Sequence, residues 1–395
     1  MAYNFDEPIN RQNTNSLKWD ARKTYFGSED VLPMWVADMD FKTPDFIKQA
    51  IIEHAQQDIL GYSLKPESFY DAIVNWQERR HGWTIKKEWI ATSPGVVAAV
   101  SLSVLCMTAP GDKVIIQPPV YHPFYFVVKD NGRQLLTNAL KSDGERFYFD
   151  FEDFENKAKE GAKMLILSSP HNPGGMVWTK EELTKLADIC EKYDMLILSD
   201  EIHCDLVFKS FKHTPLASLN DRIAARTITA IAPSKTFNIA GLSTSVVVIP
   251  NPELMAKYKK ILETIHVSPH NILGITALEA AFNHGDQWVD ELMDYLQDNV
   301  MYAKAFLEHY IPEIKLMMPE ATYLLWLNCE GLGLSDQELK RFMIDRAKLG
   351  LNQGSMFGQE GANHVRMNVA CPQILLEQGL EQLLEAVLWL RNSRE

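Results

Sequence analysis

Five residues able to do chemistry stand directly after short apolar runs of this chain. Lys235 follows TITAIAPS, Asp200 closes MLILSD, and His203 comes three residues later in DEIH; Asn172 lies in the PHNPGG that follows MLILSS, and Tyr121 in the QPPVYHPF that follows KVII. An ammonium at the mouth of a buried strand is costly unless its charge is used or its proton released. A desolvated lysine of lowered pKa is a nucleophile toward an aldehyde, and once freed it is a base. A strand-end carboxylate opposite it can hold a proton on a basic ring nitrogen, and a flat phenol can stack on that ring. These are the needs of a pyridoxal phosphate site. Lys235 would carry the aldehyde as a Schiff base, Asp200 would keep the pyridine nitrogen protonated so that the ring withdraws electrons, Tyr121 would stack on it, and Asn172 and His203 would donate to or orient its phenolate oxygen.

The phosphate needs backbone donors. SPGVVAAVSLSVL offers a turn leading into an apolar helix, with Gly95, Val96 and Val97 supplying its first amides, and Ser234 adds a hydroxyl. Singly, each residue has an ordinary structural role: Asp200 as a turn cap, Asn172 as a turn residue, His203 as a satisfied histidine, Tyr121 as core and Gly95 as a helix start. Their shared position at the ends of successive apolar runs is what favours one common site.

The elements that must position these residues are legible around them. The runs KVIIQPP, MLILSSPHNP, MLILSDEIH, RTITAIAPSK and SVVVIP read as buried strands, and amphipathic stretches separate several of them. In TKEELTKLADICEKYD, Thr179 can cap a helix with Glu182 at the capping-box spacing, and Leu183, Leu186, Ala187 and Ile189 or Cys190 share a face. Strand, helix, strand implies an α/β fold with a mostly parallel sheet, whose ligands sit beyond the carboxyl ends of the strands. After about residue 285 long helical patterns surround a strand pair at ATYLLWLNC and NHVRMNVA, which reads as a smaller α+β domain.

Composition bounds the partners. The chain has 395 residues, 46% of them hydrophobic, enough for a large core and more than one domain. A net charge of −13 without a sustained basic cluster argues against nucleic acid as a ligand. No long uncharged apolar stretch suggests a membrane span, and the first residues lack the pattern of a signal peptide, so the expected location is the cytoplasm. The five cysteines are scattered without a CxxC pair, which predicts reduced thiols, no metal site and no disulfide framework.

The set LPMWVADMDF, SPGVV, QPPVYHPF, PHNPGG, SDEIHCDL and APSKTFNIAGL resembles the PatB and MalY group of cystathionine, or carbon-sulfur, beta-lyases within the class I and II aminotransferase superfamily. The resemblance spans nearly the whole chain. It implies a fold-type I homodimer with a seven-stranded sheet in a large cofactor domain, here residues 46–285, and a small domain made of residues 1–45 and 286–395. The active site would be shared between subunits, with Tyr62 of GYS reaching the cofactor phosphate of the neighbour. Arg366 of VRMN would bind the substrate carboxylate, and the segment at Ala37, together with Asn172, would border the substrate. Two positions depart from the aminotransferase pattern, His203 where a tyrosine is common and Ser243 where an arginine often binds phosphate. Ala232 replaces a frequent hydroxyl, which shifts phosphate binding to Ser234 and the Gly95 turn. The implied reaction is α,β-elimination from L-cystathionine or a related S-substituted cysteine, giving pyruvate, ammonia and a thiol. An aminotransferase, or a lyase with an added regulatory binding role, are the alternatives.

Overall fold

The computed structural model describes residues 3–267 and 271–394. A seven-stranded sheet is made of β1 (Ile90–Ser93), β2 (Lys113–Ile116), β3 (Gln134–Thr137), β4 (Ala162–Ser168), β5 (Leu196–Asp200), β6 (Thr227–Ile231) and β7 (Ser245–Val248), in the spatial order β1-β7-β6-β5-β4-β2-β3. The pairs from β6 through β3 are parallel, and β7 runs antiparallel to both of its neighbours. All five predicted runs are in this sheet. They read as continuous apolar runs because both faces are covered: Val114 and Ile116 pack into one core cluster while Ile115 enters another, and Met164 and Ile166 alternate likewise with Leu165 and Leu167.

The helices used below are α1 (Glu67–His81), α2 (Val96–Met107), α3 (Lys180–Lys192), α4 (Asp286–Tyr310), α5 (Asp336–Arg341) and α6 (Gln373–Asn392). The predicted capping box is present on α3: Thr179 Oγ1 accepts from the Glu182 amide at 3.1 Å, and the Glu182 carboxylate accepts from the Thr179 amide at 2.8 Å. Leu183, Leu186, Ala187 and Cys190 form its buried face, so the choice between Ile189 and Cys190 falls on the cysteine. All five cysteines are free, and four are buried.

A second, antiparallel sheet contains β8 (Lys315–Met317), β9 (Leu324–Asn328), β10 (Asn352–Gln353) and β11 (His364–Asn368), in the order β8-β9-β11-β10. It includes the expected strand pair. The chain's beginning packs on this part: Leu32–Pro33 pairs in parallel with Leu349–Gly350, and the Asn368 side-chain amide donates to the carbonyls of Val36 at 2.6 Å and Asp38 at 2.7 Å. Two ion pairs, Arg11 to Asp38 and buried Lys18 to Asp40, both 2.6 Å, fix that segment from its other side. The sheet's strand ends therefore face a strap, residues 35–41, that is fastened at several points.

Candidate active site

The ends of the parallel strands open into a cavity of about 720 Å³, within the range of small-molecule sites. Lys235 lies on the single helical turn Pro233–Thr236 that follows β6, and its Nζ donates to the Ala37 carbonyl of the strap at 2.7 Å. Protein surrounds it except where it lines the cavity. That enclosure lowers its pKa to about 8, with Arg366 pushing the same way and Asp38 and Asp200 opposing.

Asp200 ends β5, and one of its oxygens accepts from the Ile202 amide at 3.1 Å. Burial raises its pKa to about 7, Glu201 adds to this, and Lys235 counteracts it. His203 is held neutral, its pKa brought down to about 3 by burial and then by Lys235 and Arg366; among the described residues its buried Nδ1 has no hydrogen-bond partner. Tyr121 lines the same cavity, with its phenol pKa raised by burial and by Asp200.

Arg366 comes from the second sheet and is 4% exposed. Its guanidinium donates to Asn172 Oδ1 at 2.9 Å, to the Trp35 carbonyl at 3.0 Å and to Asn352 Oδ1 at 2.6 Å, and it lies 4.8 Å over the Phe357 ring. Among the described residues its Nε has no partner and no carboxylate pairs with it. Burial lowers its pKa to about 10, but it remains a cation at neutral pH. A buried guanidinium beside a cavity and without a counter-charge suits an incoming anion. Because Arg366 occupies the Asn172 oxygen, the Asn172 side-chain NH2 is the group left to face the cavity.

Gly95 precedes α2, and no side chain caps that helix. The first amides, from Gly95 to Val97, are at the cavity wall beside Ser234, and a Cβ added at Gly95 would meet nothing within 4 Å. Free amides at a helix start form an anion site.

The structure thus brings Tyr121, Asn172, Asp200, His203, Ser234, Lys235, Arg366, Ala37 and the Gly95–Val97 turn to one cavity. It does not bring Tyr62 there. That side chain is 113% exposed, on a segment outside its own chain's cavity. Three residues that sequence reasoning overlooked are also part of the site. Asn352 orients Arg366, Tyr323 donates to the Ala37 carbonyl at 2.9 Å, and His122 lines the cavity as a neutral ring, its pKa lowered to about 4 by burial. Asn352 belongs to LNQGSMFG, a stretch with no periodicity to place it.

Beneath Lys235 lies a buried polar network. Asp205 accepts from Trp76 Nε1 at 3.0 Å and Thr236 Oγ1 at 2.8 Å and contacts His81 Nε2 at 2.8 Å. Glu201 similarly takes Ser199, His213 and the Leu216 amide at 2.8–3.0 Å. Glu201 thereby ties together the residues on both sides of Asp200, and Asp205 holds the side chain of Thr236, which directly follows Lys235.

Residues 29–385 match the family model of class I and II aminotransferases. The chain belongs to that family. It is 43% identical to the cystathionine beta-lyase PatB of Bacillus subtilis, over 97% of this chain and 100% of that protein, and 32% identical to protein MalY of Escherichia coli over 98% and 100%. The solved structure of cystalysin from Treponema denticola, which contains pyridoxal 5'-phosphate, superposes with a TM-score of 0.96 at 36% identity, covering 99% of this chain and 100% of that one. The family and the sheet architecture agree with the motif-based resemblance.

Proposed function

We propose that this chain is a pyridoxal-phosphate-dependent carbon-sulfur beta-lyase that acts on L-cystathionine or related S-substituted cysteines. The observation that carries the reading is the conjunction, in one cavity, of an enclosed lysine, a buried strand-end aspartate and a buried arginine without a counter-charge. The residues fit the cofactor. The Gly95–Val97 amides and Ser234 would hold its phosphate, Asp200 its ring nitrogen, the Asn172 amide and His203 its phenolate side, and Tyr121 its ring face. Pyridoxal phosphate, when bound, supplies an aldehyde that links to an amine and a ring that withdraws electrons from Cα.

The chain's own groups then have these tasks. Arg366 binds the substrate carboxylate through the guanidinium hydrogens that Asn172, Trp35 and Asn352 leave unused, and so fixes the orientation of Cα. Lys235 Nζ, at a pKa of about 8, takes the Cα proton near neutral pH. With a sulfur substituent on Cβ, the electron pair left at Cα expels a thiolate. The aminoacrylate that leaves hydrolyses to pyruvate and ammonia.

We place the protein in the cytoplasm as a homodimer with Tyr62 crossing to the partner's phosphate site, and with residues 46–285 as the large domain and the two chain ends as the small one. No helix among the described residues is long and apolar enough to cross a membrane. The test is pyruvate release from L-cystathionine by cofactor-loaded protein with no keto acid added. Continuous release that is lost in Lys235→Ala supports the lyase; a single turnover that stops until a keto acid is added means an aminotransferase.

A further inference from the structure

The cavity carries charge at two places. Lys235, Asp200 and Arg366 are at its inner end, and α5 adds Asp336 and Lys340 to the lining elsewhere. One stretch of chain connects the two. Asn352 accepts from Arg366 at 2.6 Å, and three residues further on Ser355 Oγ donates to Asp336 Oδ2 at 2.8 Å, while the Asn363 amide donates to Oδ1 of the same carboxylate at 3.2 Å. The wall that begins at Arg366 therefore leads to a fixed carboxylate. Lys340, one helical turn beyond Asp336, is exposed and forms no ion pair among the described residues. Leu17, Tyr25 and Phe26 supply apolar lining, as the methylenes of a long thioether require.

A substrate held by its α-carboxylate on Arg366 has no inner cation left for a second carboxylate, because Lys235 is engaged at Cα. Among the described residues, Lys340 is the remaining lysine or arginine of the lining. We propose that Asp336 and Lys340 form a subsite for the far end of a long sulfur substituent, Lys340 taking a terminal carboxylate and Asp336 a terminal ammonium. The cavity would then favour thioethers ending in an amino-acid group over short S-alkyl cysteines. This deepens the lyase reading and rests on it.

The experiment measures kcat/KM for L-cystathionine and for S-ethyl-L-cysteine with cofactor-loaded wild type, Lys340→Met and Lys340→Glu, and reads the ratio of the two values. One solvent-facing charge pair corresponds to a few-fold effect, so the ratio is expected to fall about three- to fivefold in Lys340→Met, and further in Lys340→Glu. The change is expected in KM and to shrink at high salt. A ratio that stays at the wild-type value in both variants overturns the subsite and leaves the lyase standing, as does a wild type that turns over S-ethyl-L-cysteine alone. Release of pyruvate from neither substrate by the wild type overturns the lyase reading and the subsite with it.

Discussion

Asp200 and Lys235 are each shifted by burial toward their neutral forms, a cost that a bound ring can offset. For Asp200 the folded pKa, about 7, is above the ordinary carboxylate value. Its contribution to stability is therefore present below that ordinary value and is lost as pH rises through about 7. In cofactor-free protein, Asp200→Asn is expected to gain stability relative to wild type between pH 4.5 and 7.5, by on the order of 3 kcal/mol at the upper end. Thermal unfolding of both proteins at the two pH values checks this; equal differences at both would count against a proton held on Asp200. Arg366 presents a different case, because its value lies in a planar fork. Arg366→Lys keeps the charge but loses the contacts to both Asn172 and Asn352, and kcat/KM is expected to drop about 100-fold. These residues were legible in the sequence to different degrees. Lys235, Asp200, His203, Asn172 and Tyr121 all follow apolar runs, and parallel strands deliver their ends to one edge. Asn352 comes from the second, antiparallel sheet, where it lies across from Arg366 in register, and Tyr323 directly precedes β9 of that sheet. That pairing depends on which strands meet, and a two-residue strand leaves no periodic trace.

The elements show why a four-residue turn can hold the key lysine steady. Asp205 connects α1, through Trp76 and His81, to the turn Pro233–Thr236, through Thr236. Burial pushes its pKa up, but the hydrogen bonds from His81 and Thr236 and the charge of Arg80 keep it lowered overall, so the carboxylate stays ionised. Asp205→Asn leaves a similar shape but removes that charge and one acceptor from three donors. A loss on the order of 3 kcal/mol is expected, in the range for breaking a buried charged network, and urea unfolding of the cofactor-free protein measures it. The capping box of α3 is a milder device. Thr179→Ala is expected to cost about 1 kcal/mol, whereas Glu182→Ala should cost more, since Glu182 also pairs with the half-buried Arg146 at 2.8 Å. The cap was readable because Thr and Glu three apart signal a helix start by themselves. The Asp205 network was not, since its partners lie up to 129 residues away in sequence, and an aspartate two residues after a histidine looks like any loop carboxylate.

At the scale of the whole molecule, the segment from Ile59 to Leu64 carries the argument. Ile59, Leu60, Tyr62 and Leu64 are 80%, 61%, 113% and 88% exposed in the single chain, and the segment forms no helix or strand. Four large apolar side chains within six residues, all left in water, are an unusual arrangement for a monomer and an ordinary one for a segment that a second subunit covers. If Tyr62 crosses to the partner's phosphate site, its hydroxyl matters for holding the cofactor and its ring for the contact between subunits. The two functions separate by substitution. Tyr62→Phe is expected to remain a dimer by sedimentation while releasing pyridoxal phosphate several-fold more readily on dialysis, because a hydrogen bond to a charged phosphate is removed and little apolar area changes. Tyr62→Asp would place a carboxylate against both the partner's apolar surface and a phosphate, so it is expected to weaken the dimer and the cofactor together. Retention of the cofactor at the wild-type level in both variants would mean that Tyr62 does not reach a phosphate site. In that case the Gly95–Val97 amides and Ser234 would have to hold the phosphate within one chain.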